Sequence, residues 1–219
     1  MGRVTPEADP TVLVIDDDPE LRSSVGRLLR SVGLDARLFV SVPDFLKSER
    51  PIGPTCLVLD VRLPGPSGLD FQCELVEADV QIPIIFITGH GDVPMSVQAM
   101  KRGAIEFLTK PFRDQDLIDA IQFGLARDRA RHENEKALYA LRARLEALTL
   151  REREIMIHIV QCRLSKQIAT DIGISEATVK VHRSNLMRKM NTRSLVELGR
   201  MADQLKLTSE KKKAAAQRC

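Results

Sequence analysis

From residue 11 to about residue 124, the chain alternates short apolar runs with amphipathic segments. This alternation is typical of a parallel sheet covered by helices. The first, third and fourth runs are almost wholly apolar, as expected for central strands that are buried on both faces. The predicted strands are Thr11 to Ile15, Ala36 to Phe39, Thr55 to Leu59, Ile84 to Ile87 and Ile105 to Leu108.

Amphipathic segments between and after these strands predict five helices, which gives a (βα)5 order. We therefore expect a doubly wound, flavodoxin-like domain of the α/β class. The helices are predicted at Pro19 to Ser31, Pro43 to Ser48, Gly68 to Glu77, Val93 to Lys101 and from Asp114 onward.

A long helix is predicted to follow, because residues 125–148 contain neither glycine nor proline. Leucines recur in it at spacings of three and four among charged residues. Two interpretations stay open, a solvated linker helix or a short dimer seam. The leucines are Leu138, Leu141, Leu145 and Leu148.

The last third of the chain predicts an all-α domain. Thr149 and Glu152 form a capping box at the start of its first helix. Gly173 marks a tight turn, and Ser175 with Thr178 begins a new helix, which is the spacing of a helix-turn-helix. The helices are predicted at Leu150 to Cys162, Ser165 to Ile172, Ser175 to Met190 and Ser194 to Leu205.

These patterns divide the chain into four parts. We expect an α/β domain at residues 10–127, a helical linker at 128–147, a four-helix domain at 148–206 and a disordered tail at 207–219. No apolar run approaches the roughly 18 residues of a transmembrane helix, and residues 1–10 do not resemble a signal peptide. We therefore expect a cytoplasmic protein without a membrane partner.

Composition narrows the choice of partners. Residues 1–124 carry 12 Lys and Arg against 19 Asp and Glu, whereas the remainder carries 21 against 11. The net charges of −7 and +10 predict a polyanion partner for the C-terminal half only. Four widely spaced cysteines, without a CxxC pair, suggest neither a disulfide framework nor a zinc site.

Polar residues follow the predicted strands at their carboxyl ends, where an open parallel sheet binds its ligands. The carboxylates converging there would repel one another without a cation, and their oxygens suit Mg²⁺. Asp60 can then act as a nucleophile toward phosphorus, while Lys110 and Thr88 hold phosphoryl oxygens. The cluster comprises Asp16, Asp17, Asp18, Asp60, Thr88 and Lys110.

Each of these residues also has a simpler interpretation. Asp17 and Asp18 suit the N-terminus of a helix, and Thr88 can merely fill a strand end. The combination is more specific. Asp60 follows Asp17 by 43 residues and precedes Thr88 by 28 and Lys110 by 50.

In these spacings, and in the stretches VLVIDDDP, CLVLDVRLPGPSGLD, IIFITGHGD and AIEFLTKPF, the chain resembles the receiver domains of two-component systems. The resemblance implies that Asp60 accepts a phosphoryl group from a histidine kinase. It implies that Asp17, Asp60 and the carbonyl of Arg62 ligate Mg²⁺, with Asp16 bound through water. It also implies a cis bond before Pro111, and a Phe107 ring that swings inward when Thr88 moves.

The segment SEATVKVHRSNLMRKM predicts a recognition helix. Val179, Leu186 and Met190 define its buried stripe. Its basic residues can reach phosphates or guanine edges in a major groove, although a basic helical face is often only solvated. These residues are Lys180, His182, Arg183, Arg188 and Lys189.

Together with the stretches LTLREREI, SKQIATDIGIS and SLVEL, this segment resembles the LuxR-type helix-turn-helix. A receiver followed by such a domain resembles the FixJ-like branch of the NarL/FixJ response regulators. The resemblance implies that Lys180, Val181 and Ser184 face base edges. Thr178, His182 and Arg188 would support the helix or touch the DNA backbone.

Two positions depart from the family pattern. Cys162 stands where a glycine is usual, which is tolerable unless the backbone needs a positive φ. Ser165 stands where an asparagine usually caps the second helix, and serine is also a good cap.

The expected function is a phosphorylation-activated transcriptional regulator. Phosphorylation would drive a dimer through the fourth helix, fifth strand and fifth helix, placing two recognition helices on DNA, with RNA polymerase as a further partner. One alternative is an aspartyl-phosphate phosphohydrolase, but Arg62 stands where its general acid would be, so we expect at most slow self-phosphorylation and self-dephosphorylation rather than an enzyme. The other alternative is a phosphorylation-independent DNA-binding protein with the receiver as a dimerisation scaffold.

Overall fold

The computed structural model describes residues 9–89, 91–205 and 207. The chain divides into two compact units, and the boundary along the sequence lies between His132 and Glu133. Apart from Leu207, the tail predicted to be disordered lies outside the described residues. Over the described ranges, no helix combines the length and apolar character needed to cross a membrane.

The first unit contains a five-stranded parallel sheet in the order β2-β1-β3-β4-β5, which confirms the doubly wound α/β prediction. Each strand is followed by a helix along the chain. The elements are β1 (Thr11–Ile15), α1 (Pro19–Ser31), β2 (Asp35–Phe39), α2 (Val42–Lys47), β3 (Thr55–Asp60), α3 (Gly68–Glu77), β4 (Ile84–Thr88), α4 (Val93–Lys101), β5 (Glu106–Thr109) and α5 (Asp114–Glu146).

Two hydrophobic cores cover the two faces of the sheet. On one face Leu57 of β3 packs in a cluster with Phe45 of α2 and Phe71 of α3. On the other face Val58 packs with Leu29 of α1 and side chains of α5. Successive residues of a strand point to opposite faces, so β1, β3 and β4 are apolar throughout.

The second unit contains four further helices after Thr149. The Thr149 N–H donates to Glu152 Oε2 at 2.8 Å, and the Glu152 N–H donates to Thr149 Oγ1 at 3.2 Å, which is the predicted capping box. Gly173 has a φ of 67°, so the chain turns sharply after the second of these helices. The helices are α6 (Leu150–Val160), α7 (Ser165–Ile172), α8 (Glu176–Lys189) and α9 (Leu195–Gln204).

Three of the four leucines predicted in the long helix belong to the core of the second unit. Leu141 and Leu148 are buried there and Leu145 packs against the same cluster, while Leu138 is half-buried. Within this unit, these three leucines therefore behave neither as a solvated face nor as a free dimer seam. The predicted stripe of α8 lies in this core too, with Val179, Leu186 and Met190 wholly buried.

Two local predictions are wrong in the second unit. α6 ends at Val160 and not at Cys162, because Cys162 has a left-handed φ of 60° that cannot continue a helix. Ser165 does not cap α7. The cap residue is Leu164, whose N–H donates to Gln167 Oε1 at 2.9 Å, so a glutamine three positions later satisfies the helix end.

Candidate functional site

Three aspartates meet at the carboxyl ends of β1 and β3. The two strands are neighbours in register, with Ile15 opposite Leu59, so the residues that follow them lie at the same edge of the sheet. Asp16 and Asp60 are buried and Asp17 is exposed, and one carboxylate oxygen of each lies within 4.8 Å of the others. The predicted acidic cluster is therefore present, without Asp18.

Asp18 has a different role, because it caps α1. Its Oδ1 accepts from the Glu20 N–H at 2.9 Å and from the Leu21 N–H at 3.3 Å. The helix-terminus interpretation thus holds for Asp18. In turn, the Asp18 N–H donates to Asp16 Oδ1 at 2.8 Å, which orients the buried carboxylate.

Lys110 joins the two buried carboxylates. Its Nζ donates to Asp60 Oδ2 at 2.6 Å and to Asp16 Oδ2 at 2.9 Å. The Lys110 N–H donates to the carbonyl of Thr88 at 2.8 Å, so β4 holds the lysine backbone in place. The peptide bond between Lys110 and Pro111 is cis.

The electrostatics of this pocket favour a bound cation. Burial raises the pKa of Asp16 above its usual value, although hydrogen bonds from Lys110 and Asp18 oppose the shift. Burial alone would lower the pKa of Lys110, but hydrogen bonds to Asp60 and Asp16 outweigh it and raise that pKa. One ammonium among three carboxylates leaves a negative excess, and hard oxygen donors of this kind fit Mg²⁺.

The second oxygen of Asp60 is also held. The Arg62 N–H donates to Asp60 Oδ1 at 2.9 Å, so both oxygens of this carboxylate have a donor. The structure places Arg62 directly beside Asp60, as its position in the sequence requires. Because both oxygens are fixed, the carboxylate has a single orientation at the mouth of the cluster.

Thr88 and Phe107 both border Gly91, a residue that the sequence reasoning missed. A Cβ atom built at Gly91 would lie 2.7 Å from Phe107 Cε1 and 3.0 Å from Thr88 Cγ2. Phe107 is half-buried, and its ring centroid lies 6.2 Å from that of Phe86. Gly91 therefore leaves the space in which the two side chains meet, and the GHG stretch after β4 was the signal for it.

The recognition helix presents most of its predicted DNA-contacting residues at the surface. Lys180 is exposed, and its Nζ lies 2.9 Å from Glu176 Oε1. Thr178 Oγ1 shares a hydrogen bond with the capping hydroxyl of Ser175 at 2.8 Å. Among the other predicted residues, His182 and Arg183 are half-buried and Val181, Ser184 and Arg188 are exposed.

Lys189 differs from these residues because its ammonium is paired with a buried carboxylate. Its Nζ donates to Glu152 Oε2 at 2.7 Å, and the Glu152 side chain is 4% exposed. Burial alone would raise the pKa of Glu152, but the hydrogen bonds from Lys189 and Thr149 lower it. This ion pair joins α8 to α6 and engages the Lys189 ammonium within the domain.

The chain matches two families of known proteins. Residues 12–122 match the family described as "Response regulator receiver domain", and residues 146–202 match "Bacterial regulatory proteins, luxR family". Nodulation protein W of Bradyrhizobium diazoefficiens is 46% identical over 208 residues, covering 95% of this chain and 92% of that protein. Transcriptional regulatory protein FixJ of Azorhizobium caulinodans is 44% identical over 197 residues, covering 90% of this chain and 93% of that protein.

A solved structure has the same architecture. The response regulator StyR superposes with a TM-score of 0.81 at 45% identity, covering 90% of this chain and all of that one. The chain therefore belongs to the NarL/FixJ class of response regulators, with a receiver followed by a LuxR-type DNA-binding domain. It is a phosphorylation-activated transcriptional regulator of a two-component system.

Proposed function

We propose that a histidine kinase phosphorylates Asp60 and that this event switches dimerisation and DNA binding. A carboxylate oxygen of Asp60 attacks the phosphorus of a phosphohistidine, forming an O–P bond as the P–N bond breaks and the imidazole leaves. The observation that carries the proposal is the Asp60 carboxylate, which is held by Lys110 at 2.6 Å beside two further aspartates.

Asp17, Asp60 and the carbonyl of Arg62 would hold Mg²⁺, with Asp16 bound through water. When bound, the ion would neutralise the carboxylates and the incoming phosphoryl oxygens. Lys110 then pairs with the phosphoryl group as a point charge. Thr88 donates its hydroxyl to it, and Phe107 repacks in the space beside Gly91.

The output is a symmetric dimer through α4, β5 and α5. Val93, Val97 and Met100 are exposed on α4 at spacings of four and three, which supports an apolar contact on this face. Pairing two receivers raises the effective concentration of the two recognition helices at neighbouring half-sites. RNA polymerase is the further partner through which a bound dimer would act on transcription.

The test uses beryllofluoride with Mg²⁺, which stands in for the phosphoryl group. We expect it to dimerise the parent and to tighten its binding to a mixed-sequence DNA duplex, whereas Asp60→Ala responds in neither assay because the attachment point is gone. Analytical ultracentrifugation and fluorescence anisotropy measure the two effects.

Asp35→Ala is the matched control, since Asp35 is an exposed aspartate on the edge strand β2 and should respond like the parent. If all proteins bind DNA equally with and without the mimic, the receiver is only a dimerisation scaffold and the proposal is wrong.

A further inference from the structure

The loop that follows the recognition helix carries a basic residue that the sequence reasoning did not assign. Arg193 lies between α8 and α9 and is exposed. Among the described residues it has no ion pair or hydrogen bond. It therefore differs from Lys189, a few positions earlier, which is paired with Glu152.

Thr192, which is buried, fixes the conformation of this loop through its hydrogen bonds. The Thr192 N–H donates to the carbonyl of Met187 at 3.0 Å. Thr192 Oγ1 accepts from the Ser194 N–H at 3.1 Å and donates to the Glu197 carboxylate. With Asn191 at a φ of 55°, the backbone on both sides of Thr192 is fixed, and Arg193 projects from a defined position.

Arg193 lines the same concave surface as the recognition helix. This surface is an open depression of about 930 Å³, formed by α8 together with the loop and the start of α9. Glu197 accepts a hydrogen bond from Thr192 and keeps its charge, so four basic side chains share this surface with one carboxylate. The charged residues that line it are Lys180, Arg183, Arg188, Arg193 and Glu197.

We infer that Arg193 binds a phosphate of the DNA backbone beside the groove that α8 occupies. A helix in the major groove has phosphates along both of its sides, and contacts to them fix the register of the protein without reading sequence. A guanidinium on a rigid loop suits this contact because its planar donors match phosphate oxygens. The inference rests on the proposed DNA-binding function, and it exchanges Lys189 for Arg193 in the contact set.

The salt dependence of binding tests this inference, because each lost phosphate contact makes the plot of log affinity against log salt shallower by about 0.9. The full-length protein with beryllofluoride and Mg²⁺ is titrated into a mixed-sequence duplex at several salt concentrations. We expect Arg193→Ala to weaken binding several-fold at low salt and to reduce the slope by about 1.8, because each of the two copies in the activated dimer loses one contact. Arg193→Lys, which keeps the charge, retains most of the slope.

Arg200→Ala is the matched control, since Arg200 is an exposed arginine of α9 outside the concave surface. It removes the same charge and should leave the slope unchanged. The inference is overturned if Arg193→Ala keeps the parent slope. It is also overturned if Arg200→Ala lowers the slope by as much, because the net positive charge of the domain then explains the effect. If the activated parent does not bind DNA at all, the proposed function fails together with the inference.

Discussion

At the scale of single residues, Cys162 carries the clearest conflict between side chain and backbone. Its φ of 60° lies in the left-handed region, where a Cβ atom crowds the following carbonyl. The backbone accepts this conformation because it closes α6, with the Cys162 N–H donating to Ile159 and the Arg163 N–H donating to His158. The departure from the family pattern at this position therefore has a structural cost.

Cys162→Gly should stabilise the second unit by about 0.5–1 kcal/mol. Relief of the left-handed penalty, roughly 1–2 kcal/mol, exceeds the extra entropy that glycine gives the unfolded chain, roughly 0.4–1 kcal/mol. Urea denaturation followed by hydrogen exchange of α6 and α7 peptides measures the gain. Asn191→Gly is the control, because asparagine tolerates its φ of 55° and should gain nothing. A gain of equal size in both variants would contradict this account.

The residues of the phosphorylation site could be predicted from the sequence because each of them lies at the carboxyl end of a strand. Asp16, Asp60 and Lys110 each follow a recognisable apolar run, and parallel strands bring such ends to one edge. Contacts between elements could not be read in this way. The pairing of Lys189 with Glu152 joins residues 37 positions apart and gives no local signal.

At the scale of elements, α5 is fastened to the start of β3. A Cβ atom on Gly124 would lie 2.7 Å from Cys56 Sγ, so the glycine lets the helix approach the strand closely. One turn later, Asp128 is 1% exposed and accepts from the Thr55 N–H at 2.8 Å. Arg131 donates to its other oxygen at 2.7 Å. Thr55 precedes the part of β3 that pairs with β4, and Asp128 supplies the acceptor for its N–H.

Asp128→Ala should destabilise the first unit by about 2–3 kcal/mol, because the buried Thr55 N–H loses a charged acceptor. Thermal unfolding by calorimetry measures the loss. Asp116→Ala is the control on the same helix, since its ion pair with Arg113 is exposed and such pairs stabilise little. If both variants unfold at the parent temperature, Asp128 does not fasten α5 to the sheet.

The predicted strands agree with the structure to within one residue at each end. The strands β1, β3 and β4 are apolar throughout and start where predicted, although β3 and β4 each end one residue later. The edge strands are only partly buried, and β2 and β5 are each shifted by one residue at one or both ends. An edge strand pairs with one neighbour only, and its hydrophobic residues stand out less clearly from the flanking sequence. Its ends therefore depend on strand pairing, which a single sequence does not show.

At the scale of the whole molecule, the sequence predicted two kinds of domain from the order of their elements and from an uneven charge. Short apolar runs alternate with amphipathic helical segments as far as β5, and only helices follow among the described residues. The excess of basic residues lies in the half that carries α8. The spacing of the leucines of α5 could not reveal which core they join, because a heptad-like spacing fits a dimer seam and a domain core equally well.

The position of Leu141 decides where the DNA-binding domain can be cut free. A fragment that starts at residue 146, where the family match begins, would lack this leucine and Leu145, and losing a buried leucine side chain costs about 2–5 kcal/mol. We expect that fragment to unfold at a markedly lower temperature than one starting at Glu133. Equal unfolding temperatures would show that the end of α5 is dispensable. If the difference is found, the C-terminal part of α5 is a structural component of the DNA-binding domain as well as the end of the last receiver helix.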